Sequence, residues 1–285
     1  MKLSIIIPTH ARGDKVLTAV KSVLESSSPD IEIIVVEDRT SDGICALTEY
    51  IETGRIRYVL NYAGPFGAAA TRNLGVNEAS GNYVLFLDDD DQILPGYVDN
   101  LLVYLSKPGA NWGFCDQKRT DYQKKPRADS SGTLNGVIFK KKIAATSAGF
   151  WINRNLFLEL GGFDVEQTID EDTDLCCRLL AHGEIPYYMK FLGIKLSRND
   201  GIDRLTSSTK QKLAAECAIR TLKNNVDMLV HDKDAYAFLL DRAHRVICKS
   251  GHTELLRNLS EYKVGLRLRM VWFFREIKYR NRVAQ

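Results

Sequence analysis

Nothing in the 285-residue chain approaches the run of about 18 apolar residues that a bilayer-spanning helix needs. The opening MKLSIIIPTHARGD holds an apolar run too short for the core of a secretory signal, so neither a classical export signal nor a membrane span is expected. Six cysteines are scattered at 45, 115, 176, 177, 217 and 248, with no CxxC pair and no Cys/His spacing of a structural zinc site. They read as reduced thiols of a cytoplasmic protein, not as a disulfide scaffold. Excess charge is missing too: 39 basic against 36 acidic residues leave +3, which gives no reason to expect nucleic acid as a partner. No internal repeat is visible.

What is present is an alternation. LSIIIP (3–8), IEIIVV (31–36), RIRYVL (55–60) and YVLFL (83–87) are continuous apolar runs rich in β-branched residues. Between them, 14–26, 43–52 and 66–79 carry helical spacing, as with Val16, Leu17, Val20, Val23 and Leu24. Strands without polar alternation, separated by helices, predict an α/β fold: a Rossmann-like, mostly parallel sheet flanked by helices. Residues 117–144 are polar and basic and predict a mobile loop, and from about 208 onward the chain reads as helices only.

In such a sheet, ligands sit outside the carboxyl ends of the strands. Thr9, His10 and Arg12 follow the first strand, Glu37 and Asp38 the second, and Asp88–Asp91 the fourth. Four adjacent carboxylates repel one another, so they are either solvated or neutralised by a cation. Alternate residues of an extended strand tip share a face, which pairs Asp88 with Asp90. A hard divalent ion, Mg²⁺ or Mn²⁺, prefers one or two carboxylates plus phosphate oxygens and water, and a D-x-D spacing suits it.

Five segments in order carry a resemblance. SIIIPTHAR, EIIVVEDRTSDG, GAAATRNLGVNEASGNYVLFLDDDD, GGFD (161–164) and EDTDLCCRL (171–179) resemble the motifs of the family 2 glycosyltransferases with the GT-A fold. The resemblance runs from residue 3 to about 200. It implies an inverting transfer of sugar from a nucleotide-diphosphate donor, most often UDP-linked, to an acceptor hydroxyl, with Mn²⁺ or Mg²⁺ as cofactor. Position by position, it implies that Asp38 meets the base while Pro8, Thr9, Arg12, Glu37, Arg72, Asp88 and Asp89 surround the nucleotide. It further implies that Asp90 and Asp88 hold the metal and that Asp172 is the general base. Trp151, Glu171 and Asn199 are candidates to line the acceptor or donor sugar.

Plainer roles stand beside these. Asp38 also suits a helix cap, and Trp151 suits the core. Glu171, Asp172 and Asp174 also suit the first turn of a helix, where the dipole favours acids. Two departures from the family pattern are visible. Glu37 stands where Asp is usual, and the segment after the last core strand, KLSRNDGIDRLTSS, offers Arg198, Asn199 and Asp200 but no histidine.

The tail VGLRLRMVWFFREIKYRNRVAQ is basic and aromatic. On a helix, Phe273, Leu266, Ile277, Met270 and Phe274 form one apolar arc flanked by Arg267, Lys278, Arg269 and Arg280. Val264, Leu268, Val271, Trp272 and Tyr279 occupy the other side. Residues 264–282 therefore suit either a peripheral contact with a membrane or packing on the rest of the protein.

The expectation is thus a catalytic GT-A domain over 1–206 and a helical extension over 207–285. It would act on a glycan or glycolipid acceptor in surface-polysaccharide or lipopolysaccharide assembly, in the cytoplasm or on the inner face of the cytoplasmic membrane. The alternatives are a metal-dependent sugar-nucleotide hydrolase and a non-catalytic nucleotide-sugar-binding subunit.

Overall fold

The computed structural model describes residues 1–25, 28–106, 111–119, 122–123, 131–133, 148–197 and 211–283. The first part alternates as the periodicity predicts: Leu3–Thr9 (β1), Gly13–Leu24 (α1), Ile31–Asp38 (β2), Asp42–Glu52 (α2), Arg57–Asn61 (β3), Ala68–Glu78 (α3) and Tyr83–Phe86 (β4). β1 pairs in parallel with β2 and β4, and β2 with β3. The strands lack polar alternation because both faces are covered. Ile5, Ile7, Ile33 and Val35 pack with Val16, Val20 and Leu47 of α1 and α2. On the other face, a Cβ at Gly75 of α3 would overlap Ile6 and lie 3.1 Å from Val36 Cγ2, so only glycine lets this helix approach the sheet.

The sheet continues with Gln92–Ile93 (β5), Trp112–Arg119 (β6), Tyr122–Gln123 (β7), Gly132–Thr133 (β8), Trp151–Asn153 (β9) and Tyr187–Leu196 (β10), with helices Tyr97–Leu105 (α4) and Arg154–Glu159 (α5). The strand order is β3-β2-β1-β4-β9-β6-β10-β5, with β7 paired to β6 and β8 to β10. β9 runs antiparallel between β4 and β6, while β10 is parallel to β6. The loop expected over 117–144 is therefore partly sheet: Lys118 and Arg119 pair with Gln123 and Tyr122, and Gly132 and Thr133 pair with β10. The rest of that stretch lies outside the described residues. Trp151 is fully buried on β9, its ring edge-on to Tyr83. An indole closed off from solvent cannot line a sugar site, so of its two expected roles the core one holds.

The described residues group into two units, one of them holding the sheet with its helices up to 165 and again over 184–197. The other takes in 166–183 and the residues from 211 on, and the expected boundary at 206–207 lies outside the described residues. The second unit contains Glu171–Ala181 (α6), Gln211–Asn225 (α7), Lys233–Ser250 (α8), a 3₁₀ turn at Thr253–Leu259 and Leu266–Val283 (α9). Leu222, Leu239, Leu240 and Ile247 are buried within it, and Gln167 Nε2 ties its first residues to Cys217 O (2.8 Å) and Thr221 Oγ1 (2.6 Å). Among the described residues no helix is long and apolar enough to cross a membrane.

Candidate active site

Because β1, β2 and β4 are adjacent and parallel, their carboxyl ends open on one edge of the sheet. There the acidic turn is braced from two directions. Thr9 Oγ1 donates to Asp89 Oδ2 (2.8 Å) and Arg12 Nη1 to Asp89 Oδ1 (3.1 Å), with Asp90 Oδ2 at 3.6 Å from the same nitrogen. From α3, the buried Arg72 donates to Asp88 Oδ1 at 2.7 Å and lies over the Phe163 ring at 5.8 Å. Asp91 closes the turn through its N–H to Asp88 O, and its carboxylate accepts from Ser197 N (2.9 Å).

The four acids divide in alternation. Asp89 and Asp91 are buried, whereas Asp88 and Asp90 are half-buried and keep a face to solvent. Asp89 was expected against the nucleotide, yet Thr9 and Arg12 engage both of its carboxylate oxygens, so it organises the turn from beneath. Burial raises the pKa of Asp89, opposed by Thr9 and Arg12. Burial also raises Asp91, and the neighbouring charges of Asp88, Asp90 and Asp89 add to it. Carboxylate repulsion therefore persists in the turn despite the two arginines, and an added cation would relieve it. Among the described residues no group of three or more His, Cys, Asp or Glu side chains is gathered as a metal cage. Asp88 and Asp90 are the two carboxylates of the turn that keep part of their surface open to solvent.

At the end of β2, the two neighbouring acids serve different ends. Glu37 was expected beside the nucleotide; its carboxylate is fully buried and accepts from Asp42 N (3.1 Å) and Gly43 N (2.9 Å) at the start of α2, and from Thr40 and Tyr58. Burial alone would raise its pKa, but these bonds hold it below the ordinary value. The extra methylene compared with Asp lets the carboxylate reach back to cap the helix.

Asp38 accepts from Gly67 N (3.0 Å) and Asn61 Nδ2 (3.2 Å), and Asn61 in turn holds Pro65 O (2.7 Å) and Gly64 N (3.2 Å). Asp38 thus secures the 61–67 loop at the entry to α3 rather than the helix that follows it in sequence. Pro8 lies opposite Val36 in the last part of β1, half-buried, and His10 Nδ1 meets Asp38 O at 2.6 Å.

Sequence reasoning passed over Asn73. Its amide clasps Phe163 from both sides, donating to the carbonyl (2.8 Å) and accepting from the N–H (2.9 Å). Gly162 has a φ of +70°, and a Cβ there would lie 2.7 Å from Asn73 Oδ1. The A-R-N-x-G and G-G-F-D segments are therefore two halves of one clamp that sets Arg72.

In the second unit, α6 opens with Asp170 in a left-handed conformation (φ +69°), ion-paired to Arg242. Asp172 follows, half-buried, with Thr173 N donating to its Oδ1 (2.6 Å). Burial, reinforced by the charges of Glu171 and Asp170, pushes its pKa up to about 8. Glu171 is buried, and Asp174 is spent on structure, accepting from Arg178 (2.9 Å) and Asn225 (2.7 Å). Asn199 lies outside the described residues.

Comparison with known proteins follows the same lines. The chain is 38% identical over 103 residues to the GalNAc(5)-diNAcBac-PP-undecaprenol beta-1,3-glucosyltransferase of Campylobacter jejuni, covering 35% of this chain and 33% of that protein. An uncharacterized glycosyltransferase of Haemophilus influenzae is 26% identical over 185 residues, 62% of each chain. The chain therefore spans about a third of the first relative's length and less than two thirds of the second's. Among solved structures, S. aureus TarS 1–349 in complex with UDP-GlcNAc superimposes with a TM-score of 0.69 over 98% of this chain and 80% of its own, a likeness of fold at 14% identity. Residues 4–162 match the family described as Glycosyl transferase family 2. That match spans more than half of the sequence and all of the sheet edge from Thr9 to Asp91, and on it this chain belongs to Glycosyl transferase family 2.

Proposed function

We propose that this chain moves a sugar from a UDP-linked donor to a hydroxyl of a glycan or glycolipid acceptor, with inversion and with Mn²⁺ or Mg²⁺ bound. The observation that carries the reading is the braced turn: Thr9, Arg12 and Arg72 hold Asp88–Asp91 at the sheet edge where β1, β2 and β4 end. Asp88 and Asp90 would hold the ion. When bound, it supplies Lewis-acid stabilisation of the charge that develops on the departing diphosphate. Arg12 and Arg72 keep the carboxylates in place, and the loop secured by Asp38 borders the base and ribose.

Asp172 is assigned the acceptor's proton. A base titrating near neutral pH can accept a proton in the transition state and stay ionised enough to begin the cycle. The acceptor oxygen bonds to the anomeric carbon as the carbon–phosphate oxygen bond breaks on the opposite face. The hydroxyl proton passes to Asp172, and the diphosphate leaves with the electron pair. The TarS complex with UDP-GlcNAc supports a UDP-sugar donor, and the Campylobacter relative, named for an undecaprenol-linked glycan, supports a lipid-linked acceptor.

The test is calorimetric titration of UDP, GDP, dTDP and CDP, each with and without Mn²⁺, on the native chain and on Asp90→Ala. Metal-dependent binding of UDP that Asp90→Ala loses is the expected result. No nucleotide bound in the presence of metal would overturn the reading. A donor sugar consumed at the same rate with and without acceptor would replace transfer by hydrolysis.

A further inference from the structure

The last helix turns its polar side inward and its apolar side out. At about 100° per residue, Arg275, Leu268, Tyr279, Trp272 and Glu276 share one side of α9. These are the partly covered residues of the helix. That side docks on α8: the Trp272 ring stacks on His244 at 4.2 Å, Arg275 pairs with Asp241 at 2.8 Å, and Glu276 meets His244 Nε2 at 3.1 Å. Packing within the unit therefore accounts for this side and leaves the other.

The opposite arc is Phe273, Leu266, Ile277, Met270 and Phe274, each between 43% and 77% exposed. Arg267 and Lys278 border it on one flank and Arg269 on the other, all exposed. A continuous apolar strip of this kind marks an interaction surface. Its cationic borders identify the partner by charge. A second copy laid strip to strip would bring cation against cation, at a like-charge cost. An anionic bilayer surface would neutralise both flanks while the apolar side chains enter the acyl boundary.

We propose that α9 is a membrane-interface helix that lays this chain on an anionic phospholipid surface through Leu266, Met270, Phe273, Phe274 and Ile277, with Arg267, Arg269 and Lys278 on the headgroups. The docked side explains how such a helix is presented: the stack and ion pairs on α8 hold the polar face, so the apolar face is already outward before any lipid is met. The inference goes beyond the sugar-transfer reading and stands independently of it.

The test is co-sedimentation of the full chain with vesicles of phosphatidylcholine alone or mixed in equal parts with phosphatidylglycerol. Binding to the mixed vesicles only, weakening as salt rises, is expected. Arg267→Gln, Arg269→Gln and Lys278→Gln should each weaken it about fivefold. The double change Phe273→Ser, Phe274→Ser should weaken it by more than about tenfold. These side chains are exposed, so circular dichroism should match the native chain and nucleotide titration should be unaltered. That control separates a failure here from a failure of the transfer reading. Absence of binding to anionic vesicles, or binding that the double change leaves intact, would overturn the proposal. So would a dimer in light scattering that the double change dissolves while vesicles go unbound, an outcome that gives the strip to a second copy.

Discussion

Two acidic clusters lie in this chain, one at the tip of β4 and one at the start of α6, and the protein surrounds them with different partners. At the first, Arg12 and Arg72 are drawn against Asp88, Asp89 and Asp90. At the second, Arg242 pairs with Asp170 and Arg178 with Asp174, while burial and the charges of Glu171 and Asp170 raise Asp172 against the opposing charge of Arg242. One arrangement fixes the carboxylates of the turn in place with two guanidinium groups, as the holding of a metal ion requires. The other leaves a carboxylate with a raised pKa, which makes its ionised form a stronger base for an acceptor's proton. Residue type is the same in both, and the neighbours decide the chemistry.

The sharpest break of this contrast is Asp172→Asn. Loss of a general base should lower kcat by about 10³-fold, with the affinity for UDP measured by calorimetry unchanged. Turnover within tenfold of native, under the same assay, would take the proton-accepting role away from α6. Next comes Asp90→Ala, which should weaken metal-dependent nucleotide binding by about 100-fold and leave metal-independent binding as it is. Equal losses with and without Mn²⁺ would mean that the turn contacts nucleotide directly.

A smaller effect comes from pH. With Asp172 as the proposed base its ionised form is the active one, so kcat/KM should climb about tenfold per unit below about 8 and level above it. The sign for stability is the reverse. The folded chain holds a proton that the unfolded chain releases near pH 4, so stability should fall as pH rises from about 4 to about 8. Asp172→Asn should remove that decline, read as Tm against pH. A native Tm profile that the substitution does not alter would contradict the raised pKa.

The smallest expected effect is at Glu37. Its lowered pKa means that its contribution is present above the carboxylate range and is lost as pH falls through it. Glu37→Gln should cost about 1–2 kcal/mol at neutral pH and flatten that acid limb, with UDP affinity unchanged. A loss of UDP affinity larger than the loss of stability would return Glu37 to the nucleotide.

How much was legible in the sequence follows from the range of each interaction. The four leading strands and three helices could be read because continuous apolar runs and helical spacing are local patterns, and the acidic turn could be read because it follows a buried strand. The partners of those acids could not. Thr9 and Asp89 lie 80 positions apart, and Asn73 and Phe163 lie 90 apart. Neither pair leaves a trace in local periodicity. Glu37 and Asp38 are neighbours in sequence, yet one caps α2 and the other secures the entry to α3, because adjacent residues of a strand point to opposite faces.

The sequence by itself determined the order of the first four strands and three helices, the position of the acids at a carboxyl edge, the five family segments and the two-sided tail helix, since each is written in spacing along the chain. Tertiary structure alone decided that Asp89 is buried under Thr9 and Arg12 while Asp88 and Asp90 stay partly open, that burial raises Asp172, and which side of α9 faces out. Those outcomes depend on desolvation and on charges brought near by folding, and neither quantity exists until distant segments meet.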